Sequence, residues 1–155
     1  MPRLSVVIPV FNAERTVVRA VQSTLASSFR DFECVVVNDG STDRTGDALR
    51  SIDDPRLRVI SSEHRGVAHA ANLATSEARA PFIARMDADD FCHPNRFEKQ
   101  IEFLETGQFD GIGGRVQIVD ANSEPVASMQ RYEAWVNDNR DNESIRAFRF
   151  VESPL

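Results

Sequence analysis

Apolar runs and amphipathic stretches alternate along the first two thirds of the chain. Four runs rich in β-branched or aromatic residues are too short for helices and predict strands, over residues 4–10, 32–37, 57–60 and from Phe82 onward. Helical spacing of apolar residues follows each strand, over about 13–26, around Ala48, Leu49 and Ile52, over about 67–78, and at Phe97, Ile101 and Leu104. This alternation predicts an α/β fold, with a Rossmann-like, mostly parallel sheet and helices on both faces.

Residues with turn or capping preferences mark the ends of these elements. Pro9 cannot donate a hydrogen bond to a neighbouring strand, so strand pairing is expected to fail near it. Asn12 is expected to cap the first helix, and Ser41 or Asp43 the second. Gly107 is expected to end the fourth helix.

From about residue 110 the pattern is more polar and less regular. Residues 112–119 predict a further strand, and residues 120–125 a hairpin-like turn. Tyr132 and Trp135 are isolated aromatics in a polar stretch, and residues 143–150 predict one more helix.

Composition and charge narrow the classes of function. A chain of 155 residues suffices for one domain, and the net charge of −6 argues against a general nucleic-acid binder. No apolar run approaches the roughly 20 residues that span a bilayer, and the N-terminus lacks a signal-peptide pattern. Cys34 and Cys92 lack metal-ligand spacing, so we expect reduced thiols in a cytoplasmic protein.

The largely apolar run that begins at Phe82 predicts a buried strand, and three carboxylates, Asp87, Asp89 and Asp90, follow it. Side chains alternate along an extended chain, so Asp87 and Asp89 should point to the same side, where they repel unless a cation lies between them. Mg²⁺ and Mn²⁺ prefer oxygen ligands and often complete their shell with phosphates. The pattern therefore predicts a metal–diphosphate site. An acidic helix start ahead of Pro94 is the alternative interpretation.

Polar residues of the other strand ends should gather at the same edge, because ligands of parallel α/β sheets bind beyond the carboxyl ends of the strands. The residues expected there are Asn12, Glu14, Asp39, Asp43, Gly66, Asp87 and Asp89. The three histidines, His64, His69 and His93, are widely spaced and are interpreted as surface or loop residues.

Other phosphate-handling classes lack their sequence features here. The first strand–helix turn, residues 10–14, contains no glycine, which argues against a dinucleotide-binding Rossmann domain. No glycine-rich run ends in Lys followed by Ser or Thr, as a P-loop requires. A phosphoaspartyl enzyme would need an Asp on the first strand, and a nucleotidyltransferase a first loop rich in Gly and Lys; the sequence has neither.

Three motifs together resemble the signature of the family 2 glycosyltransferases, which have the GT-A fold. They are SVVIPVFN at residues 5–12, VVNDGSTD at 36–43 and MDADD at 86–90, each at the end of a predicted strand and in the family's order. The resemblance implies inverting transfer of a sugar from a nucleotide-activated donor, usually UDP-linked, to an acceptor hydroxyl.

The resemblance also implies roles for seven residues. By analogy, Pro9, Phe11 and Glu14 lie around the nucleoside, Asp39 recognises the uracil edge, Asn72 is a candidate donor contact, Asp87 contacts the ribose, and Asp89 of the DXD motif holds Mn²⁺ or Mg²⁺. For Phe11 a role at the edge of the core is the open alternative. For Ser41 and Asp43 helix capping is preferred.

Two departures from the family pattern affect these expectations. The third helix carries Ala71 where the family usually has an arginine facing the donor, which puts donor affinity or identity in question. The family's general base is a carboxylate in an acidic pair well after the DXD motif, and no two acidic residues are adjacent beyond Asp90. The base is therefore expected beyond Leu155, which makes the catalytic residue unknown and predicts a chain truncated on its acceptor side.

The sequence thus predicts a single GT-A domain over residues 1–155, with residues 1–110 as its donor-binding half. The alternative is a nucleotide-sugar-binding module without catalysis. A saccharide or lipid-linked acceptor, a role in polysaccharide biosynthesis, and a position at the inner face of the membrane by peripheral association are expectations from the resemblance.

Overall fold

The computed structural model describes residues 1–138, in two compact units that divide between Phe109 and Asp110. The first unit contains strands β1 Leu4–Val10, β2 Phe32–Asp39, β3 Leu57–Ser62 and β4 Phe82–Arg85, and helices α1 Val17–Leu25, α2 Thr45–Arg50, α3 Val67–Ser76 and α4 Arg96–Leu104. The described part of the second unit contains a short 3₁₀ helix, Ala127–Met129, and helix α5, Gln130–Asn137. Strand and helix alternate throughout the first unit, as the sequence predicts.

The four strands form one parallel sheet in the order β3-β2-β1-β4. Strand β1 pairs with β2 along its whole length, up to Val10 beside Asn38. With β4 the pairing ends at Val7 beside Arg85, two residues before Pro9. The predicted loss of pairing near Pro9 therefore holds on the β4 side only.

Both faces of β1 are covered, which explains its continuous run of apolar residues. Leu4, Val6, Ile8 and Val10 lie in the larger core cluster, together with residues of α1 and α4 such as Val21 and Phe97. Val7 packs on the opposite face against Ala70 and Ala74 of α3. All seven residues of β1 are buried, as expected for the centre of a parallel sheet.

Strand β4 differs from the buried strand that its sequence suggests. It has β1 as its only neighbour among the described strands, and its residues alternate between half-buried and exposed. Ile83 is 41% exposed, whereas Ala84 packs against the larger core cluster. A strand at the sheet edge needs only one apolar face.

The cap predicted for the first helix is wrong. Helix α1 begins at Val17, four residues later than expected, with Thr16 in the N-cap position. Asn12 instead has a backbone φ of +49°, in the left-handed region that asparagine tolerates. Its side-chain oxygen accepts a hydrogen bond from the Thr42 N–H, 30 residues away.

Helices α3 and α4 lie close to their predicted positions, and Gly107, at φ +69°, follows the end of α4.

The strand predicted over residues 112–119 does not form. In the described part of the second unit, its only ladder contact is one antiparallel bridge between Val119 and Pro125, across the expected turn. Side chains of α5 take the place of a partner strand: Asn137 bonds to both backbone groups of Val116, and Glu133 accepts from the Ile118 N–H. The helix predicted over 143–150 lies outside the described residues.

Candidate functional site

Two loops at the carboxyl edge of the sheet are joined by reciprocal hydrogen bonds. The Asn12 N–H donates to the Ser41 hydroxyl at 2.9 Å, while the Asn12 side chain accepts from the Thr42 N–H at 2.9 Å. The Ala13 N–H donates to the buried hydroxyl of Thr45. These bonds hold the loop after β1 against the loop after β2, and Ser41 serves this link instead of the predicted helix cap.

Glu14 and Asp43 complete the same link. The Asp43 carboxylate accepts from the Glu14 N–H at 3.1 Å and from the Thr45 N–H at 2.9 Å. The Glu14 carboxylate accepts from the Arg44 N–H at 3.0 Å. Asp43 therefore binds the start of α2, as a capping residue would. The Glu14 carboxylate is engaged with the loop after β2.

Asp39 ends β2 as a buried carboxylate, with only 1% of the residue exposed. It accepts backbone hydrogen bonds from Arg65 at 3.0 Å and Gly66 at 2.8 Å, and a longer one from the Ser62 hydroxyl. Burial raises the pKa of this carboxyl, but these donors and the nearby His64 outweigh burial, so the pKa lies below its ordinary value. Asp39 is thus held ionised at the carboxyl edge of the sheet.

His64 is an exposed loop residue, as the sequence predicts, and it lies between Asp39 and Phe11, which the sequence does not indicate. Its ring stacks on Phe11 with the centroids 3.9 Å apart and an interplanar angle of 23°. Its Nδ1 is 2.9 Å from an Asp39 carboxylate oxygen. Gly40 permits this approach: it has φ +68°, and a Cβ there would lie 2.7 Å from the backbone nitrogen of His64.

The first cavity, of about 140 Å³, has mostly apolar walls and a buried carboxylate at one side. Its lining residues are Pro9, Val10, Phe11, Asp39, His64, Val67 and Ala70. An aromatic face and a fixed polar acceptor are the usual means of holding a flat, polar-edged ring.

A second cavity, of about 390 Å³, adjoins the first and shares Pro9, Phe11 and Val67 with it. Its other lining residues are Asn12, Ala13, Thr16, Arg85, Asp87, Ala88 and Asp89. The first cavity is largely apolar and the second is charged, so together they suit a ligand with a ring at one end and charged groups at the other.

Beyond the end of β4, buried and exposed residues continue to alternate through Asp89, although residues 88 and 89 form a turn in which the Asp90 N–H donates to the Asp87 carbonyl oxygen. Met86 and Ala88 pack with the larger core cluster, whereas Asp87 and Asp89 are exposed and line the second cavity. The two carboxylates therefore line the same cavity, as the sequence predicts, although the chain between them turns and is not extended as the prediction assumed.

Negative charge accumulates at this position. Burial, followed by the charges of Asp89 and Asp87, raises the pKa of Asp90 above its ordinary value, although Arg96 acts in the opposite direction. Within residues 1–138 no three His, Cys, Asp or Glu side chains gather closely enough to hold a metal by themselves. One or two carboxylates are nevertheless the usual protein share of a Mg²⁺ site that also has phosphate ligands, so Asp89 and Asp87 fit such an ion.

Two predicted site residues line neither cavity: Asn72, which is exposed on α3, and Glu14. Pro9, Phe11, Asp39, Asp87 and Asp89 do meet at the cavities, and the structure adds His64 and Arg85 to them. No local sequence signal marks these two residues. Only their places at or near the carboxyl ends of β3 and β4 could have indicated that they belong to the site.

This arrangement defines an α/β protein with its candidate site at the carboxyl edge of a parallel sheet. The chain belongs to glycosyl transferase family 2: the family's model matches residues 5–152. Membership of this family supports a glycosyl transfer function.

Known proteins agree with this assignment. Over 121 residues the chain is 31% identical to WfgD of Escherichia coli, a UDP-Glc:alpha-D-GlcNAc-diphosphoundecaprenol beta-1,3-glucosyltransferase, covering 77% of this chain and 48% of WfgD. The chain thus spans less than half the length of this relative.

Solved structures establish the fold as GT-A. S. aureus TarS in complex with UDP-GlcNAc aligns with a TM-score of 0.64 at 23% identity, over 79% of this chain and 42% of that one. The mannosyltransferase PcManGT of Pyrobaculum calidifontis, in complex with GDP-Man and Mn²⁺, gives a TM-score of 0.63 at 24% identity, over 77% and 36%. Within residues 1–138, no helix combines the length and apolar character needed to cross a membrane.

Proposed function

We propose that this chain binds a nucleoside-diphosphate sugar, a UDP-sugar in the first instance, and transfers the sugar with inversion to an acceptor hydroxyl. The observation that carries the proposal is the junction of the two cavities at Phe11 and Pro9, with Asp39 on one side and Asp87 and Asp89 on the other. A nucleobase fits the first environment and a diphosphate with its metal the second.

In this proposal the nucleobase lies near Phe11 and its polar edge meets Asp39. The Asp39 carboxylate already accepts from two backbone N–H groups, so few of its lone pairs remain. His64 is the partner that can yield, because its side chain is 52% exposed whereas the backbone donors are fixed. A base N–H would replace His64 at the carboxylate.

Asp89 is proposed as a ligand of Mn²⁺ or Mg²⁺, with Asp87 turned to the ribose. When bound, the ion supplies Lewis-acid stabilisation of the charge that develops on the departing diphosphate. The complex of PcManGT with Mn²⁺ supports this class of cofactor. The residues of this chain hold the donor and compensate its charge.

The acceptor is proposed by comparison with a relative. WfgD is named for a diphosphoundecaprenol-linked acceptor, which supports a saccharide or lipid-linked acceptor here. Among the residues that line the two cavities, the carboxylates are Asp39, Asp87 and Asp89, all on the donor side. This observation favours the second candidate, a donor-binding module without catalysis of its own.

Calorimetric titration of the chain with UDP, GDP and ADP, with and without Mn²⁺, tests the proposal. We expect UDP to bind more tightly with Mn²⁺ than without it, and ADP not to bind. Release of UDP from UDP-glucose or UDP-GlcNAc then separates the two candidates, because the module would bind without turnover. Absence of Mn²⁺-dependent binding of both UDP and GDP would contradict the proposal.

A further inference from the structure

Arg85 is the last residue of β4, and the alternation of side chains places it with the site. It lies beside Val7 in the parallel pairing of β1 and β4, and Val7 packs on the α3 face of the sheet. Neighbouring residues of a parallel pair point to the same face, so Arg85 also lies on the α3 face. It lines the second cavity, where α3 contributes Val67.

The second cavity contains one cationic side chain among the residues that line it, and that side chain is Arg85. The other charged groups there are the carboxylates of Asp87 and Asp89. A nucleoside diphosphate adds further negative charge, which one divalent ion compensates only in part. A planar guanidinium with several N–H donors matches phosphate oxygens in charge and geometry.

The position of Arg85 is fixed while its side chain is free to change partners. Its carbonyl oxygen accepts a hydrogen bond from the Arg96 guanidinium at 3.1 Å, which anchors the end of the strand. Its own guanidinium is 3.3 Å from an Asp87 carboxylate oxygen, and both side chains are more than half exposed. Exposed ion pairs of this kind contribute little to stability, so exchanging the partner costs little.

We propose that Arg85 binds the diphosphate of the donor, releasing Asp87 as it does so. This inference rests on the proposed function and adds a binding residue to it. Arg85 then has two roles at one position: without a ligand it neutralises Asp87, and with the donor bound it neutralises phosphate. The exchange also frees Asp87 for the ribose or the metal.

Titration of UDP, UMP and uridine in the presence of Mn²⁺ tests the inference, on the full chain and on Arg85→Met, Arg85→Lys and Arg50→Met. Arg50 is the matched control, since it forms an exposed pair with Asp47 on α2. We expect Arg85→Met to weaken UDP about tenfold, as the loss of a hydrogen bond to a charged group predicts. UMP should weaken less and uridine not at all. Arg85→Lys should recover part of the affinity for UDP, and Arg50→Met should match the wild-type chain.

The outcomes separate this inference from the proposed function. If the wild-type chain binds UDP and Arg85→Met binds it equally well, the inference is wrong and the proposed function stands. If uridine weakens together with UDP, Arg85 acts only by holding Asp87, and the inference is again wrong. If the wild-type chain binds neither UDP nor GDP, the proposed function itself fails.

Discussion

Replacing Asp39 by Asn should destabilise the fold, because the buried carboxylate organises the loop that lines the first cavity. Its two oxygens accept from the Arg65 N–H at 3.0 Å and the Gly66 N–H at 2.8 Å. Asparagine keeps one carbonyl oxygen but turns an NH₂ group toward one of these donors. A hydrogen bond to a charged group contributes about 1.5–3 kcal/mol, so Asp39→Asn should lower the unfolding free energy by about 2 kcal/mol.

The effect should depend on pH with a definite sign. The pKa of Asp39 is lowered in the native state from its ordinary value of 3.8, since its hydrogen bonds outweigh the effect of burial. Its contribution to stability is therefore complete above pH 3.8 and is lost as the pH falls through the native pKa. Protonated Asp39 resembles Asn, so the difference between wild type and variant should shrink in acid.

Urea denaturation at pH 7, pH 5 and pH 2.5 measures both effects. With a slope of about 1.5 kcal/mol/M, the loss corresponds to a midpoint about 1–1.5 M lower at pH 7. Asp47→Asn is the control, because Asp47 forms only an exposed ion pair, and its midpoint should stay within about 0.3 M of the wild type. Equal midpoints of wild type and Asp39→Asn at pH 7, or a difference that is as large at pH 2.5 as at pH 7, would show that the Asp39 carboxylate does not stabilise the loop in this way.

Two further predictions concern the same strand and its loop. Gly40→Ala should lower the unfolding free energy by about 1–3 kcal/mol, because Gly40 has a positive φ and the new Cβ would meet the His64 backbone. Gly111→Ala is the control, because a Cβ there would enter open space. A thermal melt that leaves Gly40→Ala at the wild-type midpoint would contradict this prediction. Burial raises the pKa of Cys34 to about 12, so its thiol should resist alkylation at pH 8 in the native chain and react in 8 M urea. Rapid labelling of Cys34 in the native chain, located by mass spectrometry, would show this prediction to be wrong.

The sequence predicts the central sheet well, because local pattern and burial agree there. The run from Leu4 to Val10 is β-branched and continuous, and only a strand covered on both faces buries all of it. The presence of Asp87 and Asp89 at one cavity is a local feature too, because only one residue separates them in the chain. Such features depend on neighbours in the chain and can be read without the fold.

Features that depend on distant partners could not be predicted. Asn12 has the sequence of a helix cap, but Ser41 and Thr42 bind it across two loops. His64 has no local signal, and its role follows from Phe11 and Asp39, which lie far away in sequence. The run over 112–119 resembles a strand, yet in the described part of the second unit its backbone bonds to side chains of α5.

Ala71 occupies the position on α3 where the family usually has an arginine. The family resemblance implies an arginine at this position, and under the proposed function its absence from α3 would leave the donor with one cation fewer. Arg85 contributes a cation to the second cavity from the edge of the sheet. Its role could be inferred only after β4 was placed beside β1.

We propose that Asp89, just beyond the end of β4, binds a divalent ion together with the donor's diphosphate. Calorimetric titration of UDP into wild type, Asp89→Ala and Glu102→Ala, with Mn²⁺ and with EDTA, tests it most directly; Glu102 is an exposed carboxylate on α4 that lines neither cavity. Mn²⁺ should tighten UDP binding to wild type and to Glu102→Ala but not to Asp89→Ala, whose circular dichroism spectrum should stay native. An undiminished effect of Mn²⁺ in Asp89→Ala would contradict it.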